Sequence, residues 1–177
     1  MKQASRDLAL CGVLCALAVA IMAMGTILPA ATYCAPVLAS MTLLPVLVLC
    51  GEKLSWAMFF ASAMLSLLLA PDKEAAAIFL ALGYYPIVKP KLDRKPKIRR
   101  WVGKFLLFNV SILAAYAVLL FVLRLDALRE EFSAMSGALL AGLLLGGNFL
   151  FWLDDRLLGR FAPRAAALCA RWEKKHR

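Results

Sequence analysis

Few side chains in this chain could do chemistry, and they fall into two groups. The first is Thr32, Tyr33, Asp72, Lys73 and Glu74, joined by Tyr116. Together they offer the donors and acceptors needed to bind a polar solute. The same Asp72-Lys73-Glu74 run equally suits a self-paired turn, because acidic residues in a first helical turn are favoured by the helix dipole. The second group is Tyr84, Tyr85, Asn109 and Asn148. Two asparagine amides can bond across a helix pair as a structural clamp, for about 0.6–2 kcal/mol in a membrane. Asp154 and Asp155 follow this group and can pair with nearby basic residues. Redox and metal chemistry find little support. The one histidine is His176, and no CxxC occurs among the cysteines at 11, 15, 34, 50 and 169. Cys11 and Cys15 share a helix face and read as small apolar residues. HExxH, a P-loop and GxSxG are absent, so no enzyme, metal or cofactor is expected.

The elements that must position these groups are set by composition. The chain has 177 residues, is 63% hydrophobic and has a mean hydropathy of +0.78. A soluble domain is roughly half apolar. The apolar residues form continuous blocks at about 8–29, 32–50, 54–70, 74–88, 101–123 and 134–153. Most of these runs are long enough to cross a hydrocarbon core of roughly 30 Å. Backbone groups in lipid must be satisfied internally, which makes helices the default. The expected fold is therefore all-α: one integral membrane domain over 1–177, a six-transmembrane-helix bundle with a basic tail at 154–177. The first block is longer than a signal-peptide core and is read as a retained helix.

Charge orients the bundle. With the N-terminus in the cytoplasm, alternate threading leaves only Lys73, Arg124 and Arg129 outside, of 21 Lys and Arg residues. The rest fall inside, including Lys89, Lys91, Arg94, Lys95, Lys97, Arg99, Arg100 and Lys104 around one connection. This is the positive-inside pattern, and Trp56, Trp101 and Trp152 at cytoplasmic ends agree with it. Both termini are cytoplasmic in this threading, and the location is the cell membrane. The net charge of +10 then addresses anionic lipid, and no nucleic-acid motif accompanies it. The first group of polar residues lies at the outer ends of the spans and the second toward the inner ends.

Small residues recur at helix-face spacing: Gly12, Ala16 and Ala20 in the first span, Ala57 and Ala61 in the third, and Gly142 and Gly146 in the sixth. Such residues let helices approach closely in lipid, either within the bundle or against another subunit. Pro36 and Pro45 interrupt the second span, and Gly83-Tyr84-Tyr85-Pro86 ends the fourth. Interrupted spans free backbone groups for ligands, and proline is also plain punctuation. Span interiors carry no charge beyond their end regions, which argues against a carrier driven by a buried carboxylate.

Six spans, both ends inside, a small-residue stripe at Gly12, Ala16 and Ala20 and no enzyme motif resemble the S component of an energy-coupling-factor (ECF) transporter. That resemblance implies a membrane subunit that captures a vitamin or trace nutrient from outside. It implies a transmembrane coupling subunit as partner, with two cytoplasmic ATPases supplying energy. The faces bearing Gly12, Ala16 and Ala20, with Ala57 and Ala61, would dock on the coupling subunit. The ligand would meet the outer group, Thr32, Tyr33, Asp72, Lys73, Glu74 and Tyr116. A small membrane scaffold of cell-envelope machinery, like the rod-shape protein MreD, has the same architecture and no transport activity. The outer group discriminates between the two: a transporter subunit needs a solvent-reachable pocket there, and a scaffold does not.

Overall fold

The computed structural model of the chain describes residues 2–24, 31–117 and 136–175, apart from the side chains of 2, 3, 31, 33, 140 and 170–175. All regular structure among them is helical: α1 (Lys2–Met24), α2 (Ala31–Met41), α3 (Leu43–Leu49), α4 (Glu52–Leu69), α5 (Lys73–Leu82), α6 (Tyr85–Asp93), α7 (Lys97–Ala117) and α8 (Gly137–Lys175). Among the described residues three stretches are long and apolar enough to cross a membrane: Ala4–Met24, Glu52–Leu69 and Gly137–Cys169.

Two of the expected spans are broken helices. The 32–50 run divides at Thr42 into α2 and α3. Pro36 and Pro45 each lack the N–H that a continuous helix needs, and each frees the carbonyl four residues earlier. Ser40 and Thr42 turn their hydroxyls back onto Val37 O and Ala39 O, both at 2.7 Å, and satisfy themselves locally at the break. The 74–88 run divides at Gly83-Tyr84. A Cβ on Gly83 would sit 2.6 Å from the carbonyl oxygen of Phe79 and 2.8 Å from its ring, so only glycine fits without a shift. Helix α6 then continues to Asp93, so the basic connection expected from Lys89 begins as helix. The expected tail differs too. Helix α8 runs unbroken through Pro163 for 39 residues, about 58 Å. The part of the 101–123 run beyond Ala117 lies outside the described residues.

Gly51, at φ 84° and ψ 178°, turns the chain sharply from α3 into α4, in a region that residues with a Cβ avoid. Its carbonyl accepts from Ser55 Oγ at 2.9 Å. Helix α1 presents Cys11, Cys15, Ala18 and Met22 to the core. Helix α4 answers with Ser55, Met58, Phe59, Ser62, Ala63 and Ser66. Small side chains line both faces, and the Ser62 hydroxyl reaches Cys15 Sγ at 3.2 Å. Helices α5 and α2 complete this layer through Ala75, Ala76, Phe79, Ala35 and Ala39.

A second cluster joins α3, α6, α7 and α8: Leu44, Tyr85, Phe108, Phe151 and Leu158. Phe151 stacks on Phe108 at 4.7 Å and meets Tyr85 edge-on at 4.8 Å. Helices α7 and α8 run antiparallel, since Lys104 meets Asp155 while Asn109 meets Asn148. Outward faces stay apolar, with Leu68 74% and Leu145 73% exposed. Such faces suit lipid, because a water-facing surface of this kind would aggregate.

Candidate functional site

The outer polar group is consumed by helix ends. Ala70 is extended before Pro71, as a residue preceding proline must be, and this ends α4. Asp72 caps α5: its Oδ1 accepts from the Ala75 N–H at 3.0 Å. Its Oδ2 accepts from Thr32 Oγ1 at 2.8 Å, which ties the start of α2 to the start of α5. Lys73 turns back over α4, and its Nζ donates to Leu67 O at 2.8 Å and Ala70 O at 3.0 Å. Glu74 Oε1 accepts from Tyr116 Oη at 2.8 Å, joining α5 to α7. Four of the six expected ligand residues thus pair with one another, as Thr32 with Asp72 and Glu74 with Tyr116, Lys73 turns onto backbone carbonyls, and the Tyr33 side chain lies outside the described residues. Their geometry is that of the self-paired turn.

The inner group forms two structures. Asn109 Nδ2 donates to Asn148 Oδ1 at 3.0 Å, and Asn148 Nδ2 returns a bond to Asn109 Oδ1 at 3.3 Å. The amides also bond Phe105 O and Leu144 O one turn back, each at 2.8 Å. Tyr84 stacks on Trp56 and bonds Ser111 Oγ at 2.7 Å. Tyr85 instead turns to Asp155.

Around Asp155 stands an ionic cluster that sequence reasoning placed mainly in a solvated connection. Lys104 Nζ, 6% exposed as a residue, meets both carboxylate oxygens of Asp155 at 2.8 and 3.0 Å and Asp93 Oδ1 at 2.6 Å. Lys89, 8% exposed, pairs with the Asp155 carboxylate, with its carbonyl at 3.1 Å and with Asp93 at 3.5 Å. Tyr85 Oη donates to Asp155 Oδ1 at 2.6 Å. One carboxylate thereby fastens α6, α7 and α8, and its oxygens are fully engaged. Helical spacing carried the signal: Lys104 precedes Phe108 by four residues on the buried face of α7, and Lys89 lies between Tyr85 and Leu92 on that of α6.

Beside this cluster a cavity of about 280 Å³ opens between α2, α5, α7 and α8. An engineered apolar cavity of about 150 Å³ already accepts benzene. Pro36, Ile78, Leu82, Phe108, Leu143 and Phe151 form much of its wall. From Leu143 to Asp154 the lining follows α8 for about 16 Å. Its side-chain polar groups are Ser40, Tyr116 and Asp154. The first two are bonded to Val37 O and Glu74. Asp154 Oδ1 is buried without a hydrogen-bond partner.

The five small residues expected to dock a partner lie on outward faces: Gly12, Ala16 and Ala20 on α1, and Ala57 and Ala61 on α4, are all exposed. A Cβ at Gly12 would meet nothing within 4 Å. The small residues that pack α1 against α4 are a different set, on the opposite faces. Among the described residues no group of His, Cys, Asp and Glu side chains could hold a metal ion. In comparisons with protein families, curated proteins and solved structures, the chain matches none.

Proposed function

We propose that this chain is a six-span membrane protein, with both termini cytoplasmic, that binds a small molecule within its helices as the substrate-binding subunit of an uptake transporter. The spans would be α1, α2 with α3, α4, α5 with α6, α7 with the residues that follow, and the first half of α8. The basic second half of α8, with Arg156, Arg160 and Arg164, exceeds what a core of roughly 30 Å requires and would extend from its cytoplasmic side. The cavity carries the functional reading. It is large enough for a compact organic molecule, apolar over most of its wall, and holds one unpaired polar atom. The candidate ligand site thereby moves from the outer turn, whose polar groups are bonded within the protein, into the bundle, where Tyr116 of that group lines the wall.

The chain has no P-loop, so energy would come from separate cytoplasmic ATPases, and the outward small-residue faces of α1 and α4 would suit close docking of a coupling subunit. One observation favours the envelope scaffold instead: the outer polar residues are bonded to one another. A scaffold needs no occupied cavity. Mild extraction followed by co-purification separates the two. A transporter subunit brings down an ATPase pair and a bound molecule that the cavity-filling variant Gly147→Leu lacks. A scaffold brings down neither.

A further inference from the structure

We infer that Asp154 anchors a primary ammonium group, and that the occupant of the cavity is an apolar or aromatic molecule carrying one. The inference rests on the small-molecule reading above and deepens it. Three observations carry it. Asp154 lines the cavity, and its Oδ1 is buried with no partner, so a hydrogen-bond donor is missing there. The neighbouring cations are committed elsewhere: Lys89 and Lys104 close on Asp155 and Asp93, and among the described residues no ion pair reaches Asp154. The other polar side chains of the wall, Ser40 and Tyr116, have partners of their own. An anionic ligand would meet a like charge that no ion pair among the described residues neutralises. A neutral apolar ligand would leave the Asp154 oxygen unsatisfied. An ammonium supplies both charge and donor, and the aromatic wall of Phe108 and Phe151 suits the apolar remainder of such a molecule.

The same chemistry exists in a free amine and in an ethanolamine lipid headgroup, so the test has an arm for each. The 177-residue chain in phosphatidylcholine nanodiscs is titrated with phenethylamine, phenethyl alcohol and phenylacetate. The amine is expected to bind about tenfold or more tighter than the alcohol, as a hydrogen bond to a charged group allows, and phenylacetate weakest. Asp154→Asn should remove that advantage while leaving the alcohol's affinity unchanged, which also shows that the variant is folded. Leu143→Trp and Gly147→Leu, which crowd the cavity from two positions, should weaken both. Replacing part of the phosphatidylcholine with phosphatidylethanolamine assigns the source. Competition with phenethylamine means that the lipid headgroup supplies the ammonium, and no competition means a free amine. Equal binding of amine and alcohol, or an amine affinity unmoved by Asp154→Asn, overturns the inference while leaving a binding cavity. Absence of binding by every probe, with no molecule retained on extraction, overturns the small-molecule reading as well.

Discussion

Replacing Asp155 by asparagine should loosen three helices at once where they meet. The carboxylate accepts from Lys104, Lys89 and Tyr85. Asparagine keeps the shape and one carbonyl oxygen but loses the charge. Among the described residues Asp93, whose side chain is 38% exposed, then remains the only anion bonded to two buried ammonium groups. Removing one partner of a buried ion pair typically costs about 3–5 kcal/mol, because the partner stays buried and uncompensated. For a chain of 177 residues each kcal/mol lowers the unfolding midpoint by roughly 2–4 °C, so the midpoint should fall by roughly 6–20 °C. Thermal unfolding in detergent can be followed with a dye that fluoresces on reacting with thiols, since Cys11 and Cys15 are buried until the chain opens. A background of Cys34→Ser, Cys50→Ser and Cys169→Ser removes the exposed and part-exposed thiols. Lys91→Ala is the control: its pair with Glu52 is exposed, and no change in midpoint is expected. Replacing the set together, as Tyr85→Phe, Lys89→Met, Lys104→Met and Asp155→Leu, should restore the midpoint, because apolar packing substitutes for a buried ion cluster without its desolvation cost. A loss in Asp155→Asn no larger than that in Lys91→Ala would refute the reasoning.

Asn109→Ala should cost about 0.6–2 kcal/mol, and adding Asn148→Ala should cost little more, since the first change already breaks the reciprocal pair; the same unfolding assay in a double-mutant cycle measures the coupling. Gly83→Ala should lose about 1–3 kcal/mol through the clash with Phe79, whereas Gly12→Ala, with open space around it, should leave the midpoint unchanged. Ser66→Ala should leave stability unchanged or raise it, because the Ser66 hydroxyl is buried without a partner; a fall of more than about 1 kcal/mol would show that the hydroxyl has one.

Much of the helical content was legible because apolar runs have to close their own hydrogen bonds. The breaks within those runs were harder to read, because hydropathy averages across them. Pro45 and the Gly83-Tyr84-Tyr85-Pro86 sequence marked them as local backbone events. The paired asparagines could be anticipated because an amide within an apolar helix has few other partners. The ionic cluster was less legible. Lys89 and Lys104 look like ordinary basic residues at a cytoplasmic surface, and only their spacing against Tyr85 and Phe108 places them on buried faces. The Asp72-Lys73-Glu74 run suited either a solute or a helix cap, a choice that depends on Thr32 and Tyr116 reaching it from other helices. The cavity could not be read at all. It exists only where α2, α5, α7 and α8 meet, and no short stretch of sequence contains that geometry.

The central claim is that the cavity holds a molecule in the native membrane. Native mass spectrometry of the gently extracted chain, wild type beside Gly147→Leu, tests it most directly. The wild type should retain a bound molecule and associate with an ATPase pair, and the variant, shown to be folded by a cooperative unfolding transition, should lack the molecule. A wild type that carries nothing the variant lacks, and that brings down no ATPase, would contradict the account.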